Sequence, residues 1–168
     1  MLLGGKPLRR QVPFRRNLLL ILCLVILLPA SASAFKCNIT VTGVAFGSYN
    51  ALAPATTSTT GDIGVTCNIK AKNKAAPLSV SVSISAGQSG SFSQRFMTDA
   101  SGSMLNYNLY MDAGGGTIWG DGTGGSSNRI ENVTQESPLN AKVYGRIPAG
   151  QNAPVGSYSD ILTVTVLW

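Results

Sequence analysis

The 168-residue chain contains no histidine. That removes imidazole acid–base chemistry, every His-based triad and the commonest side-chain ligand of transition metals. Charge is scarce as well: only 12 per cent of residues are Asp, Glu, Lys or Arg. The net charge of +6 is unevenly placed, because Lys6, Arg9, Arg10, Arg15 and Arg16 all fall before position 17. The eight remaining basic residues face seven acids, so the body of the chain is close to neutral. The basic balance therefore belongs to the leader and argues for no nucleic-acid partner. Long amphipathic helical patterns are missing too, while Gly, Ser, Thr and Asn abound, a composition suited to short strands and turns.

What is present begins with a targeting pattern. A basic stretch ends at Arg16, Leu18–Leu28 is an unbroken apolar run, and Pro29 leads into the small residues Ala30–Ala34. Ala32-Ser33-Ala34 is an A-x-A cleavage signature. The run of eleven apolar residues falls short of the roughly 20 that span a bilayer. Residues 1–34 are expected to be a signal peptide and 35–168 the mature domain, with no stable membrane span after cleavage. An uncleaved anchor is the alternative.

Cleavage would remove Cys23 and leave Cys37 and Cys67. Two cysteines in an exported domain are expected to pair, closing a loop worth roughly 3–4 kcal/mol by chain entropy. Two free buried thiols are the other reading. No metal is expected, since two cysteines without histidine leave a coordination shell short. Asn38-Ile39-Thr40 and Asn132-Val133-Thr134 match the weak glycosylation acceptor pattern.

Period-two alternation dominates the rest. Leu78, Val80, Val82, Ile84 and Ala86 alternate with serines; Ile63, Val65, Cys67 and Ile69 alternate with polar residues and Gly64. Ile39 and Val41 do the same, as do Leu105, Tyr107, Leu109 and Met111, and Val143 and Ile147 flank a further run. The tail Ile161–Trp168 reads as the last strand. Between them lie turn-rich stretches, including a polar loop over residues 51–60 and Gly/Ser-rich segments at 87–93 and 120–127. The expected fold is all-β: an antiparallel sandwich of six or seven strands, of immunoglobulin-like size. The last strand sets Leu162, Val164, Val166 and Trp168 on one face, with nothing after it to cover the neighbouring edge. Either it is paired inside a closed sandwich, or a partner strand completes the sheet.

Several ordered segments carry a resemblance. They are Cys37, Val44–Tyr49 (VAFGSY), Val65-Thr66-Cys67, Gly90-Ser91-Phe92, Arg95-Phe96-Met97, Leu105–Tyr110 (LNYNLY), Ile118–Gly122 (IWGDG), Tyr144–Gln151 (YGRIPAGQ) and Gly156–Asp160 (GSYSD), with the alternating tail. Over nearly all of the expected mature chain the sequence resembles the spore coat protein U domain family, which includes subunits of archaic chaperone–usher pili. The resemblance implies an incomplete immunoglobulin-like sandwich lacking its final strand. A periplasmic chaperone would lend that strand, and an outer-membrane usher would exchange it for a strand of the next pilus or coat subunit. Leu162, Val164, Val166 and Trp168 would face the chaperone, and Phe46 would help close the first strand. Polymerising subunits of the family carry a donor extension before the first cysteine. Here only Phe35 and Lys36 would precede Cys37, which implies a chain-end, coat or accessory subunit exported to the periplasm and then the cell surface.

No catalytic constellation accompanies these features. Asp62, Asp99, Asp112, Asp121 and Asp160 are scattered among turns, and the glycine-rich stretches lack the Lys-Ser/Thr of a phosphate loop. No enzyme and no cofactor are expected. Tyr107, Tyr110, Trp119 and Tyr144 are candidate ligand aromatics for a self-contained secreted adhesin or carbohydrate-binding module, against packing roles in the sheet.

Overall fold

Alternating apolar residues place a side chain on one sheet face at every second position, and the chain follows that rule closely. A computed structural model of the protein describes residues 36–68 and 77–168. The expected leader and the Ile69 end of the second alternating run lie outside the described residues. Among the described residues eight strands form: β1 (Lys36–Thr42), β2 (Thr57–Asn68), β3 (Leu78–Ile84), β4 (Arg95–Thr98), β5 (Met104–Tyr110), β6 (Arg129–Val133), β7 (Leu139–Ile147) and β8 (Val164–Leu167). These strands pair antiparallel throughout, in a five-stranded sheet of order β1-β2-β7-β5-β4 and a three-stranded sheet of order β6-β3-β8.

The core lies between the inner faces. Ile63 and Val65 from β2, Leu105, Tyr107 and Leu109 from β5, and Ala141 and Val143 from β7 meet Val80, Val82 and Ile84 from β3. This is an immunoglobulin-like sandwich. Cys37 stands directly opposite Cys67 in the β1–β2 register, and the two form a disulfide. The bond pins an edge strand that pairs on one side only.

Eight strands correct the expected six or seven. β4 and β6 escaped because each sets charge on its inner face beside a single buried apolar residue, Met97 or Val133. Arg95 in β4 is fully buried, and in β6 the ion pair Arg129–Glu131 occupies the inner positions while Ile130 points outward. The polar loop expected over residues 51–60 is shorter, since Thr57–Thr60 already belong to β2 and pair with β7. The last strand is shorter too. Residues 161–163 precede β8, and the Thr163 amide donates to Ser85 Oγ at 2.9 Å in place of a ladder bond.

Two glycines shape one end of the inner face. Gly61 and Gly145 share that face with Ile63 and Val143 and are buried. A Cβ on Gly61 would lie 2.5 Å from the Thr42 carbonyl; one on Gly145 would lie 2.5 Å from Val44 Cγ1 and 2.8 Å from Phe46 Cζ. Lacking side chains there, the sheet admits the chain as it leaves β1, and Val44 and Phe46 pack directly onto its floor.

Candidate functional site

The two sheets are unequal in width, and the inner face of the wider one is not fully covered. A groove of about 930 Å³ remains. Ile63, Met97, Leu105, Leu109, Val143 and Ile147 of the wider sheet and Ile84 of the narrower one form its floor. These residues are core in character, with almost no exposure. Its walls are the segment after β1, through Val44, Phe46 and Tyr49, and residues 153–162 with Val164. At its edge Val41 is 54 per cent exposed, although it sits opposite buried Ile63 and so on the core-facing side of the sheet.

Both walls carry unpaired main chain. β8 bonds to β3 alone, so its outer edge is free among the described residues. Residues 43–49 form no strand and make no backbone–backbone hydrogen bond among the described residues. An apolar floor between two unsatisfied backbone edges is the surface that an extended peptide can complete.

Residues 153–163 strap one end of the groove and join the two sheets. Ser159 and Thr98 exchange two main-chain bonds of 3.0 Å at the free side of β4, and Ser85 donates to the Thr163 carbonyl at 2.9 Å beside β3. The Gln88 carboxamide donates to the Ser159 carbonyl at 3.0 Å. Asp160 anchors the strap from below: its Oδ2 accepts from the Tyr107 hydroxyl at 2.7 Å and its Oδ1 from the amides of Gln88 and Ile161. Burial, reinforced by the hydrogen bond to Asp160, pushes the Tyr107 phenol well above its ordinary pKa.

Behind the groove Arg95 serves as a buried tie. Its guanidinium donates to Asn108 Oδ1 at 2.6 Å, to the Ser85 carbonyl at 2.9 Å and to the Trp119 carbonyl at 2.8 Å. Burial lowers its pKa. Neutral acceptors from three segments satisfy it, which is how an isolated cation is tolerated in a core.

The residues singled out from sequence divide as follows. Phe46, Leu162 and Val164 line the groove. Val166 packs on the core outside the groove lining, opposite Val82. Trp168 lies past the end of β8, 51 per cent exposed and away from the groove. Of the candidate ligand aromatics, Tyr107 and Trp119 are buried: Trp119 donates its indole N–H to the Val82 carbonyl at 3.1 Å, and Tyr107 packs edge-on against Phe46. Both pack in the core; Trp119 does not line the groove, whereas Tyr107 contributes to its floor. Tyr110 and Tyr144 are half-buried cross-strand neighbours. Sequence reasoning missed Asp160, Gln88 and the glycine pair. A lone acid after GSYS and two glycines inside strands were the available signals.

Comparison with known proteins bears on this arrangement. The Spore Coat Protein U domain model matches residues 25–165. The chain belongs to the spore coat protein U domain family. Protein U of Myxococcus xanthus is 34% identical over 73 residues, 44% of this chain and 39% of that protein. A similar fold occurs in the crystal structure of the CsuC–CsuE chaperone–tip adhesion subunit pre-assembly complex from archaic chaperone–usher Csu pili of Acinetobacter baumannii. The TM-score is 0.52 at 24% identity, covering 80% of this chain and 40% of that one. This spore coat protein U domain thus spans well under half the length of both relatives. Among its described residues no three His, Cys, Asp or Glu side chains gather to hold a metal, and no helix is long and apolar enough to cross a membrane.

Proposed function

We propose that the protein is a structural, non-enzymatic subunit of a surface fimbria or coat, completed by a β-strand from another polypeptide. The observation that carries this reading is the groove, with core side chains for a floor and unpaired main chain on two walls. An inserted strand would gain ladder hydrogen bonds, and its alternate side chains would enter the groove and fix register. Each large apolar side chain so buried contributes roughly 1.5–3 kcal/mol. Family membership supports the choice of donor: a periplasmic chaperone first, then, through an outer-membrane usher, a sister subunit.

The route begins with export. Cleavage after Ala34 would release a domain starting at Phe35, which N-terminal sequencing of the secreted protein checks. Two residues before Cys37 are too few for a strand of the usual five or six or so. The domain would accept a strand and give none, the behaviour of a chain-end, coat or accessory subunit. Purified protein that polymerises through its own N-terminus would refute that role.

Co-expression with a periplasmic chaperone of the chaperone–usher class, followed by pull-down, tests the central reading. A one-to-one complex is expected, lost when Val164 or Leu162 is replaced by Arg. Recovery of a stable free monomer that neither binds a chaperone nor exposes apolar surface to a fluorescent dye would refute it.

A further inference from the structure

The outer face of the five-stranded sheet bears a second hollow, of about 460 Å³, where β5 and β7 part company. The two strands pair only over Asn108–Arg146, Leu109–Gly145 and Tyr110–Tyr144. Beyond Arg146 the chain turns off at Pro148, and the Gln151 carboxamide takes the vacated place. Its Oε1 accepts from the Asn106 amide at 2.7 Å and its Nε2 donates to the Asn106 carbonyl at 2.9 Å. Tyr49 fastens the turn by donating to the Pro148 carbonyl at 3.3 Å and accepting from the Gln151 amide at 2.8 Å. A continuously paired sheet presents a shallow pleat; here the splay leaves a dent whose walls are held by hydrogen bonds.

The chemistry of the dent is selective. Thr56, Ser93, Gln94, Asn106 and Tyr110 line it with hydroxyls, carboxamides and a ring, and Arg146 is its one charged residue. Thr56, Ser93 and Gln94 are exposed, and the Asn106 carboxamide is left over once Gln151 has taken its main-chain groups. The Arg146 guanidinium lies 5.9 Å from the centre of the Tyr110 ring and donates to the Ala113 carbonyl, so it is fixed in place. The two ion pairs among the described residues are Arg129–Glu131 and Lys142–Asp62, which leaves Arg146 without a carboxylate there. A held, unpaired guanidinium is a fork for a planar anion. Around it stand neutral groups that both give and accept hydrogen bonds, and no deep apolar pocket of the kind that seats peptide side chains.

We infer that this hollow binds an acidic saccharide, its carboxylate on Arg146 and its ring hydroxyls on Asn106, Gln94 and Thr56. The hollow opens on the face opposite the groove, so a bound strand and a bound sugar are compatible. The inference stands on its own geometry and does not depend on strand completion.

Calorimetric titration of the full exported chain, kept soluble by its strand donor if one is needed, tests it with trigalacturonate, maltotriose and triglutamate. Trigalacturonate should bind, and maltotriose and triglutamate at least tenfold more weakly. Arg146→Gln and Asn106→Ala should each weaken trigalacturonate binding at least fivefold, with Arg146→Lys between Arg146→Gln and the parent protein. Asn106→Ala keeps every main-chain bond of Asn106 and serves as the second variant should loss of Arg146 disturb the Ala113 loop. Failure of trigalacturonate to bind, equal binding of the neutral sugar or the peptide, or indifference to Asn106→Ala in a folded protein would each overturn the inference.

Discussion

The Tyr107 hydroxyl donates to Asp160 Oδ2 at 2.7 Å, linking the middle of β5 to the strap that closes one end of the groove. One side chain belongs to the floor and the other to a segment with little regular structure, so this contact sets how firmly the strap is held. Tyr107→Phe should lower stability by roughly 1.5–3 kcal/mol, the usual worth of a hydrogen bond to a charged group. Asp160→Ala should cost more, because it also frees the Gln88 and Ile161 amides, and the double variant little more than Asp160→Ala alone, since Tyr107 then has no contact left to lose. Urea unfolding of the three variants measures this.

The same contact predicts a response to alkali. Tyr107 holds its proton more tightly in the folded protein than in the unfolded chain, first through burial and then through Asp160. The folded-state pKa is raised, so the contribution is fully present below the ordinary phenol value and falls once pH climbs above about 10, where the unfolded chain gives up its proton first. Unfolding midpoints should decline over that range in the parent protein and decline less in Tyr107→Phe.

Gly145→Ala should disturb the segment after β1. A Cβ at that position would meet Val44 and Phe46 within 3 Å, and Phe46 in turn packs on Tyr107. Overpacking of this kind costs about 1–3 kcal/mol. The variant should melt earlier and bind more of an apolar dye, as Phe46 lifts away. A variant with unchanged melting and dye binding would show that the segment shifts at no cost.

Removing the Cys37–Cys67 bond should loosen β1 selectively. The bridge spans a sequence separation of 30 residues, a loop worth roughly 3–4 kcal/mol. In a Cys37→Ser, Cys67→Ser double variant, amide exchange should quicken most along Ile39–Val41 and least in β3 and β5, which hydrogen exchange followed by mass spectrometry resolves.

Much of this architecture could be read before any coordinates. Ser79, Ser81 and Ser83 set against Val80, Val82 and Ile84 announce β3 without reference to its neighbours, and Leu105, Tyr107 and Leu109 do the same for β5. Alternation failed where a polar side chain faces inward, because nothing local says that Arg95 will find three carbonyls and an Asn108 oxygen, or that Arg129 will pair with Glu131. The groove was legible in part. Leu162 and Val164 gave one wall, but the other depends on Gly61 and Gly145, whose contribution is a missing atom that matters only once another segment lies on top. Trp168 shows the opposite error: it keeps the parity of its strand but stands beyond the last paired residue, where parity no longer decides burial.

A hollow floored by interior side chains ties the melting temperature of this protein to whatever occupies it. Any ligand that seats there adds to the unfolding free energy according to its free concentration, by about 2.7 kcal/mol at a hundredfold excess over its Kd. A thermal midpoint recorded on the isolated domain is therefore a lower bound on that of the occupied one.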